Sequence, residues 1–474
     1  MTQNIDSDYQ SSLTKLNDLA SKAIAIGEQQ GASEIEIVLT NGFERSVEVK
    51  ANSISGIQQQ SKTEVSVRSY IGKKLGMASA TSLTANSIED AVINAIKLAE
   101  LSPEDENFKQ LATPMDREVV EVDHLFDPAL ATLDPSTIVE NIADLIQGAQ
   151  ETHDQSNVSG KFNMSTTERV VQNSHGIQGE IQSTGLQTYS YVSIPLSPTD
   201  VGVGFEMAMS RSWDKGLDFF ELGKIGAQKA EKMLGAKVAP SKKMPVILDE
   251  RATGQTLGSI VGFGVNGYTV MTGISYFADK IGAELANADL NIWDDPHVSG
   301  GSSSRQLDAE GIPTTKVEIM NNGVLESYVT DSYTASVLGL ENTGNAGSGF
   351  RSNRPRPRVH QMQIGAGQDS KEQMYEDLKE GLIIESGLSG SGGSPEISAQ
   401  VNRGFYVKDG EIQYPLKNTM LGTNVFELLK GISGISKEIK VEFGRQYPVM
   451  SLSEVSIAGA GDKKSGPSIS MTSI

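Results

Sequence analysis

The chain has 474 residues and a net charge of −20 from 60 acidic and 40 basic side chains, which opposes binding to nucleic acid, where phosphate neutralisation drives affinity, and to an anionic membrane surface. It contains no cysteine, so disulfides, thiolate nucleophiles and Cys-ligated zinc or iron–sulfur sites are excluded. Hydrophobic residues make up 38% and charged residues 21%, an ordinary globular balance, and at roughly 150 residues per domain the length suggests about three domains.

The N-terminus, "MTQNIDSDYQSSL", is polar and acidic, unlike a signal peptide. No apolar run approaches the roughly 20 residues of a membrane span, so the expected location is the cytoplasm. Leu13, Leu16, Leu19, Ala20, Ala23 and Ile24 recur at helical spacing and predict an amphipathic first helix that Gly31 stops. Strands follow in "EIEIVLT", "RSVEVK", "ISGIQQQ", "EVSVRSYI" and "KLGMASAT", with a hairpin turn expected at Asn41-Gly42. In "SIEDAVINAIKLAEL", Ile88, Ala91, Val92, Ala95, Ile96 and Ala99 share one helical face. Residues 1–110 therefore read as a helix–sheet–helix domain.

Residues 102 to 123 are charged, Pro-containing and aperiodic, as in a linker. The central segment, 111–240, opens with the helix "DPSTIVENIADLIQGAQE". Long strands follow on either side of a turn at "NSHG", and the helix "ELGKIGAQKAEKMLGA" closes it. The last segment, 241–474, begins with the strand "MPVILD" and the helix "QTLGSIVGFGVN". It continues through Gly-rich loops and hairpins at Asn322-Gly323 and Asp409-Gly410. The expected class is α+β, with a large, mainly antiparallel β C-terminal domain.

Several stretches could carry chemistry. "GFGVNG", Gly262 to Gly267, matches G-x-G-x-x-G, but a dinucleotide site needs the first glycine directly after the strand and the helix after the glycines. Here a dozen residues intervene, so helix packing or termination is the expected role. Asp294, Asp295 and His297 in "NIWDDPHVSGG" could seed a hard-metal site or an autonomous hydrolase, or could cap a loop. His175 sits in an expected turn. No two of the five histidines stand three or four apart, which excludes a helical His pair for zinc. "SGLSGSGGSP" lacks the G-x-S-x-G elbow of a serine nucleophile. Arg351, Arg354, Arg356 and Arg358 form a basic cluster that could grip a carboxylate, a phosphate or an acidic partner.

The order of "GASEIEIVLTNG", "VSVRSYIGKKLGMASAT", "VVQNSHGIQGE", "MPVILDERATGQTLGSIVGFGVNG", "DAEGIPTTKVEIMNNGVLESYVTDSYTASVLGLENTGNA" and "GFYVKDGEIQYPLKNTMLGTNVFELLKGI" resembles the TldD/PmbA family across nearly the whole chain. The resemblance implies a TldD–TldE type metallopeptidase of two subunits acting on unfolded peptides. In the TldD branch the helix after the strand carries His-Glu-x-x-x-His, and a Cys near the C-terminus is a further ligand. The matching positions here are Gly258, Ser259 and Phe263, and no His or Glu occurs from Arg251 through Gly282. The resemblance is therefore to the TldE (PmbA) branch. It implies no catalytic residue and no metal in this chain, a zinc-type metal in a TldD-like partner, and a heterodimer or a homodimer holding extended peptide. Dense resemblance around Asp308, Glu310 and Asn345 marks these as candidate peptide-contacting residues. A non-catalytic scaffold is the remaining alternative.

Overall fold

A computed structural model describes residues 2–213, 217–347, 354–389 and 393–459. Arg351, the centre of "SGLSGSGGSP" and the tail from residue 460 lie outside them. Helix α1 (Thr2–Gln29) buries Leu16, Ala20 and Ala23, and the chain turns at Gly31 with φ +92°. Strands β1 (Glu34–Lys50), β2 (Ser53–Ser61), β3 (Glu64–Ile71) and β4 (Lys74–Ala80) lead to α2 (Ala85–Leu101). Thr84 caps α2 by accepting from the Ser87 N–H at 3.4 Å. The buried face of α2 is the periodic one, Ile88, Ala91, Val92, Ala95, Ile96 and Ala99. Burying each of its larger side chains stabilises the fold by about 1.5–3 kcal/mol.

The Asn41-Gly42 turn is not formed. Both residues lie inside β1, at the point where its neighbour changes. Up to Thr40 the strand pairs with β3, and from Phe43 it pairs with β2. On its other side it pairs with a single strand throughout. A Cβ on Gly42 would lie 2.1 Å from the Thr166 carbonyl oxygen, so the glycine is needed for close backbone approach rather than for reversal. The hairpin turn falls instead at Ala51 and Asn52, with φ 51° and 60°. Asn52 stabilises it by hydrogen bonds to Ser156 O and from Val158 N.

The stretch expected to be a linker is packed. Phe108 stacks on Tyr70 with ring centroids 3.5 Å apart, and Leu111, Ala112 and Val122 are buried. Helices α3 (Pro128–Ala131) and α4 (Pro135–Thr152) follow, then β5 (Asn157–Asn173), β6 (Gln178–Ser197), β7 (Asp200–Ser210) and α5 (Phe219–Glu231). The "NSHG" turn between β5 and β6 is held by Asn173, whose side-chain oxygen accepts from His175 N and Ile177 N. These strands join the earlier ones in one seven-stranded sheet, ordered β4-β3-β1-β5-β6-β7 with β2 beside β1. The ladder between β1 and β5 thus crosses the boundary expected at residue 110.

The C-terminal part contains β8 (Lys242–Leu248), α6 (Glu250–Gly264), α7 (Gly267–Met271), β9 (Ile292–Asp294), β10 (Val317–Asn321), β11 (Val324–Leu325), α8 (Ser332–Leu338), β12 (Ala346–Gly347), β13 (Arg356–Pro357) and β14 (Met362–Ile364). It ends with α9 (Lys371–Asp377), β15 (Glu380–Ser389), β16 (Glu396–Lys408), β17 (Glu411–Pro415), β18 (Thr419–Asn424), α10 (Val425–Lys430), β19 (Ile432–Glu442) and β20 (Arg445–Gly459). Pairing runs β15-β8-β20-β18-β16, and β16 pairs back to β15, so five strands close a ring. All of its ladders are antiparallel except β8 with β15. The main core lies here, with Val246, Leu248, Leu257, Ile260 and Val261 packed against Leu382, Ile384, Leu428 and Met450. Asn322-Gly323 and Asp409-Gly410 make the expected turns. Phe443-Gly444 makes a third, between β19 and β20, with φ 57° on a phenylalanine. Among the described residues no helix is long and apolar enough to cross a membrane.

Candidate functional site

The strand–helix unit β8–α6 sets the site. Asp249 ends the strand and caps α6, its Oδ1 accepting from Ala252 N at 2.9 Å. One face of α6, with Arg251, Gly254 and Gly258, then borders a cleft of about 340 Å³. Its other walls come from β7, α5, the segment before β14, β15, β16 and the β19–β20 turn. The cleft therefore lies where the large sheet meets the C-terminal ring.

Its floor is an ion-pair ladder. Glu206, buried on β7, accepts from both Lys229 and Arg251. Arg251 Nε also reaches Glu442 at 2.8 Å, and Arg403 pairs with Glu385. Burial works to raise the Glu206 pKa, but the charges of Arg251 and Lys229 overcome it and hold the carboxyl below its ordinary value. Removing one member of so buried a set leaves the others uncompensated. The sequence carries no contiguous signature of this ladder, because its members come from six separate elements. One signal was present: alternation in "GVGFEMAMS" places Glu206 in the inward register with Gly204 and Ala208.

Gly258 borders the cleft, and a Cβ built on it would meet nothing within 4 Å. Ser259 is exposed beside it, and the Phe263 ring packs on Tyr276 at 5.6 Å. This donor set does not fit a metal ion: glycine and phenylalanine offer no ligand. Among the described residues no three His, Asp or Glu side chains are grouped to hold one. The glycines of "GFGVNG" end α6 and begin α7, with Asn266 capping the second helix, so no strand precedes them as a dinucleotide loop requires.

Asp294, Asp295 and His297 hold loops. Asp294 is fully buried and accepts from His360 N, Gln361 N at 2.6 Å and Asn345 Nδ2 at 2.7 Å. Asp295 accepts from His297 N, and His297 Nε2 meets Thr314 Oγ1 at 3.0 Å. His175 pairs with Glu34 at 2.8 Å.

The three residues expected to touch peptide are instead buried, and none of them borders the cleft. Asp308 accepts from the backbone of Glu310, Ile312 and Ala346. Asn345 joins Asp294 to the Arg358 carbonyl. Glu310 bonds Arg68 on β3 at 2.9 Å, and with it ties the two halves of the molecule together. Together they form a polar seam that fixes loops against the sheet.

The arginine cluster divides. Arg354 pairs with Asp105 and lies over the Tyr333 ring, and Arg356 lies 3.9 Å over the Tyr268 ring. Arg358 has neither kind of partner among the described residues.

Asp249 gives the site a pH dependence. Burial first, and then the nearby negative charges of Glu385 and Glu250, push its carboxyl up to about 7. An unfolded aspartate ionises near pH 3.9. The folded chain thus keeps a proton that the unfolded chain releases, and stability falls as pH rises from about 4 through 7. Asn caps a helix as well as Asp does. After discounting for partial exposure, Asp249→Asn is expected to gain about 2 kcal/mol over the parent at pH 8 and to match it near pH 4. Urea unfolding at the two pH values checks this, and a variant weaker than the parent at pH 8 would overturn it.

Residues 241–459 match the family model for the PmbA/TldA metallopeptidase C-terminal domain, and residues 35–99 match the model for PmbA/TldA metallopeptidase domain 1. The chain is 28% identical over 450 residues to the Metalloprotease PmbA of Escherichia coli O157:H7, covering 92% of this chain and 94% of that one. It is 25% identical over 465 residues to a Metalloprotease PmbA homolog of Haemophilus influenzae, covering 94% and 96%. The solved structure of TldE from Thermococcus kodakarensis is similar with a TM-score of 0.83 at 25% identity, over 93% of this chain and 100% of that one.

Proposed function

Because the chain belongs to the PmbA/TldD metallopeptidase family, we propose that it is the TldE-like, metal-free subunit of a two-chain peptidase in the cytoplasm. A TldD-like partner carries the zinc-type metal, which supplies an activated water for peptide hydrolysis. This chain completes the chamber and holds unfolded peptide in extended form, through backbone hydrogen bonds that demand little of the sequence. The observation that carries the reading is the face of α6. Where the family's metal-bearing branch has His, Glu and His, this helix has Gly258, Ser259 and Phe263, and open space stands at Gly258.

The test is metal content and peptidase activity, measured on the chain alone and mixed with a TldD-type partner. The expected result is no stoichiometric metal and no cleavage from the lone chain, stable association on mixing, and cleavage by the mixture that a chelator abolishes. Cleavage by the lone chain, or failure of the two chains to associate, would refute the reading.

A further inference from the structure

Four arginines, Arg211, Arg305, Arg358 and Arg445, gather next to the cleft, which Arg445 lines, and none forms a salt bridge with a carboxylate among the described residues. Their meeting point is the loop from Gly301 to Arg305. Arg211 donates to the carbonyls of Gly301, Ser302 and Ser304 at 3.0–3.2 Å, and to Thr184 O. Four of its five N–H groups are used, and its role is to hold the loop. The other three use fewer of theirs. Arg305 uses only Nε, on the Ser303 carbonyl at 3.2 Å. Arg445, which borders the cleft, reaches Ser303 Oγ at 3.2 Å and His360 O at 3.4 Å, while its Nε is buried with no partner. The Arg358 guanidinium makes no hydrogen bond among the described residues, and the residue is exposed.

The nearby carboxylates do not balance this charge. Asp294 and Asp308 are buried and already accept three or more N–H groups each. Burial first, and then the positive charges of Arg358, Arg211 and Arg169, push Arg305 down to about 9, against the opposing pull of Asp308. Mutually repelling, under-used guanidinium groups inside a chain of net charge −20 call for an anion that the described residues do not supply.

A second group narrows the choice of anion. His360 is buried and borders the cleft beside Arg445. Its Nε2 faces the Gly344 carbonyl at 3.2 Å, which places the ring proton there. Its Nδ1, left as an acceptor, has no partner. Burial and the positive charges of Arg305 and Arg358 keep the ring neutral. The unmet partners are therefore a carboxylate for the arginines and an amide N–H for His360. The last residue of a peptide carries both. Phe205, Met207 and Met362 supply apolar wall for its side chain.

We infer that Arg445, Arg358 and Arg305, with His360, form a receptor for the C-terminal carboxylate and last amide of a peptide whose final side chain enters the cleft. The inference rests on the peptide-holding role proposed above. It names the part of the peptide that this chain recognises. A planar two-oxygen acceptor suits guanidinium forks in a way that a spherical anion does not.

The test is fluorescence anisotropy on the full chain with three labelled peptides of one sequence: free acid, C-terminal amide, and amide with one internal Glu. The free acid is expected to bind about tenfold or more tighter than the amide, as charge-assisted hydrogen bonds imply. Arg358→Gln, Arg445→Gln and the double variant are expected to erase that preference stepwise while leaving amide binding in place. Arg356→Gln, at the neighbouring ring-stacked arginine, keeps it. Arg358 is exposed, so its variant reads the site even where the Arg445 variant is unstable. Equal affinity for acid and amide, including no binding of either, overturns the inference, as does a preference that survives the double variant. Tight binding of the Glu-containing amide would reassign the site to acidic side chains and overturn it equally. Cleavage of the amide peptide by the mixture with a metal-bearing partner tests the subunit reading separately, because that reaction needs no free carboxylate.

Discussion

Arg68→Met is expected to cost the fold about 3–5 kcal/mol at pH 7, the loss that follows when one member of a buried ionic group is removed. Arg68 on β3 lies opposite Glu36 on β1, and its Nη2 bonds Glu36 at 2.8 Å and Glu310 at 2.9 Å. All three side chains are 5% exposed or less. Glu310 belongs to the C-terminal part, and its second oxygen accepts from Ser332 N. The triad is thus a bolt between the large sheet and the loops that position α8. It carries two carboxylates for one guanidinium. Burial raises the Glu36 pKa, and Glu310 adds to that, while Arg68 opposes both.

Without Arg68 the Glu36 carboxyl is pushed higher still. The folded variant then takes up protons that the unfolded chain holds only near pH 4.3, so the deficit shrinks as pH falls towards 5 and grows towards 8. Adding Glu36→Gln and Glu310→Gln to Arg68→Met removes the uncompensated charge and is expected to restore much of the loss. Denaturant unfolding at several pH values reads all of this. A loss below about 1 kcal/mol, or one independent of pH, would mean that the triad does not join the two parts as described.

The second large effect is at the crossing of α4 and α5. A Cβ on Gly223 would stand 1.9 Å from the Leu145 carbonyl oxygen, and one on Gly148 would stand 2.0 Å from the Phe220 carbonyl oxygen. The helices touch backbone to backbone, so no rotamer change can relieve an added side chain. On an exposed helix, Gly→Ala gains about 1 kcal/mol. Here Gly223→Ala is expected to lose stability, and Gly223→Val to lose about 3 kcal/mol, since overpacking and β-branching act together. The helices lie over the β5–β7 end of the sheet, where Leu145, Ala227 and Ala230 pack with Val192 and Ile194. The wedge therefore loosens the end of the sheet that supplies Glu206 to the cleft. Calorimetry on the two variants decides the matter: a stabilising Gly223→Ala would show that the crossing is looser than this.

Local and periodic features were legible in the sequence. The face of α2 follows from 3.6-residue spacing, because a single helix against a sheet needs only its own pattern to decide what is buried. Asn322-Gly323 and Asp409-Gly410 make turns because both residues of each pair accept positive φ and sit between short strands. The blandness of α6 was equally visible, since it depends on which residue types are absent.

What the sequence could not decide involved partners far along the chain. Asn41-Gly42 has the composition of a turn, yet β5 on one side and the exchange of β3 for β2 on the other hold it extended. Phe443, with no turn preference of its own, is held at positive φ by the register of β19 and β20. Asp308, Glu310 and Asn345 were recognisable as a dense group, but burial among backbone N–H groups and Arg68 gives them a supporting role that residue type does not reveal. The separation between the first two segments disappeared because hydrogen bonds between β1 and β5 ignore sequence distance. The cleft was the least legible feature of all. Arg251, Glu206, Glu442 and Arg445 lie up to 239 positions apart (445 minus 206), and only closure of the ring beside the large sheet brings them together. Sequence determined the elements and what α6 lacks; tertiary structure alone decided which charges meet and which are left without a partner, because electrostatic compensation depends on distance in space.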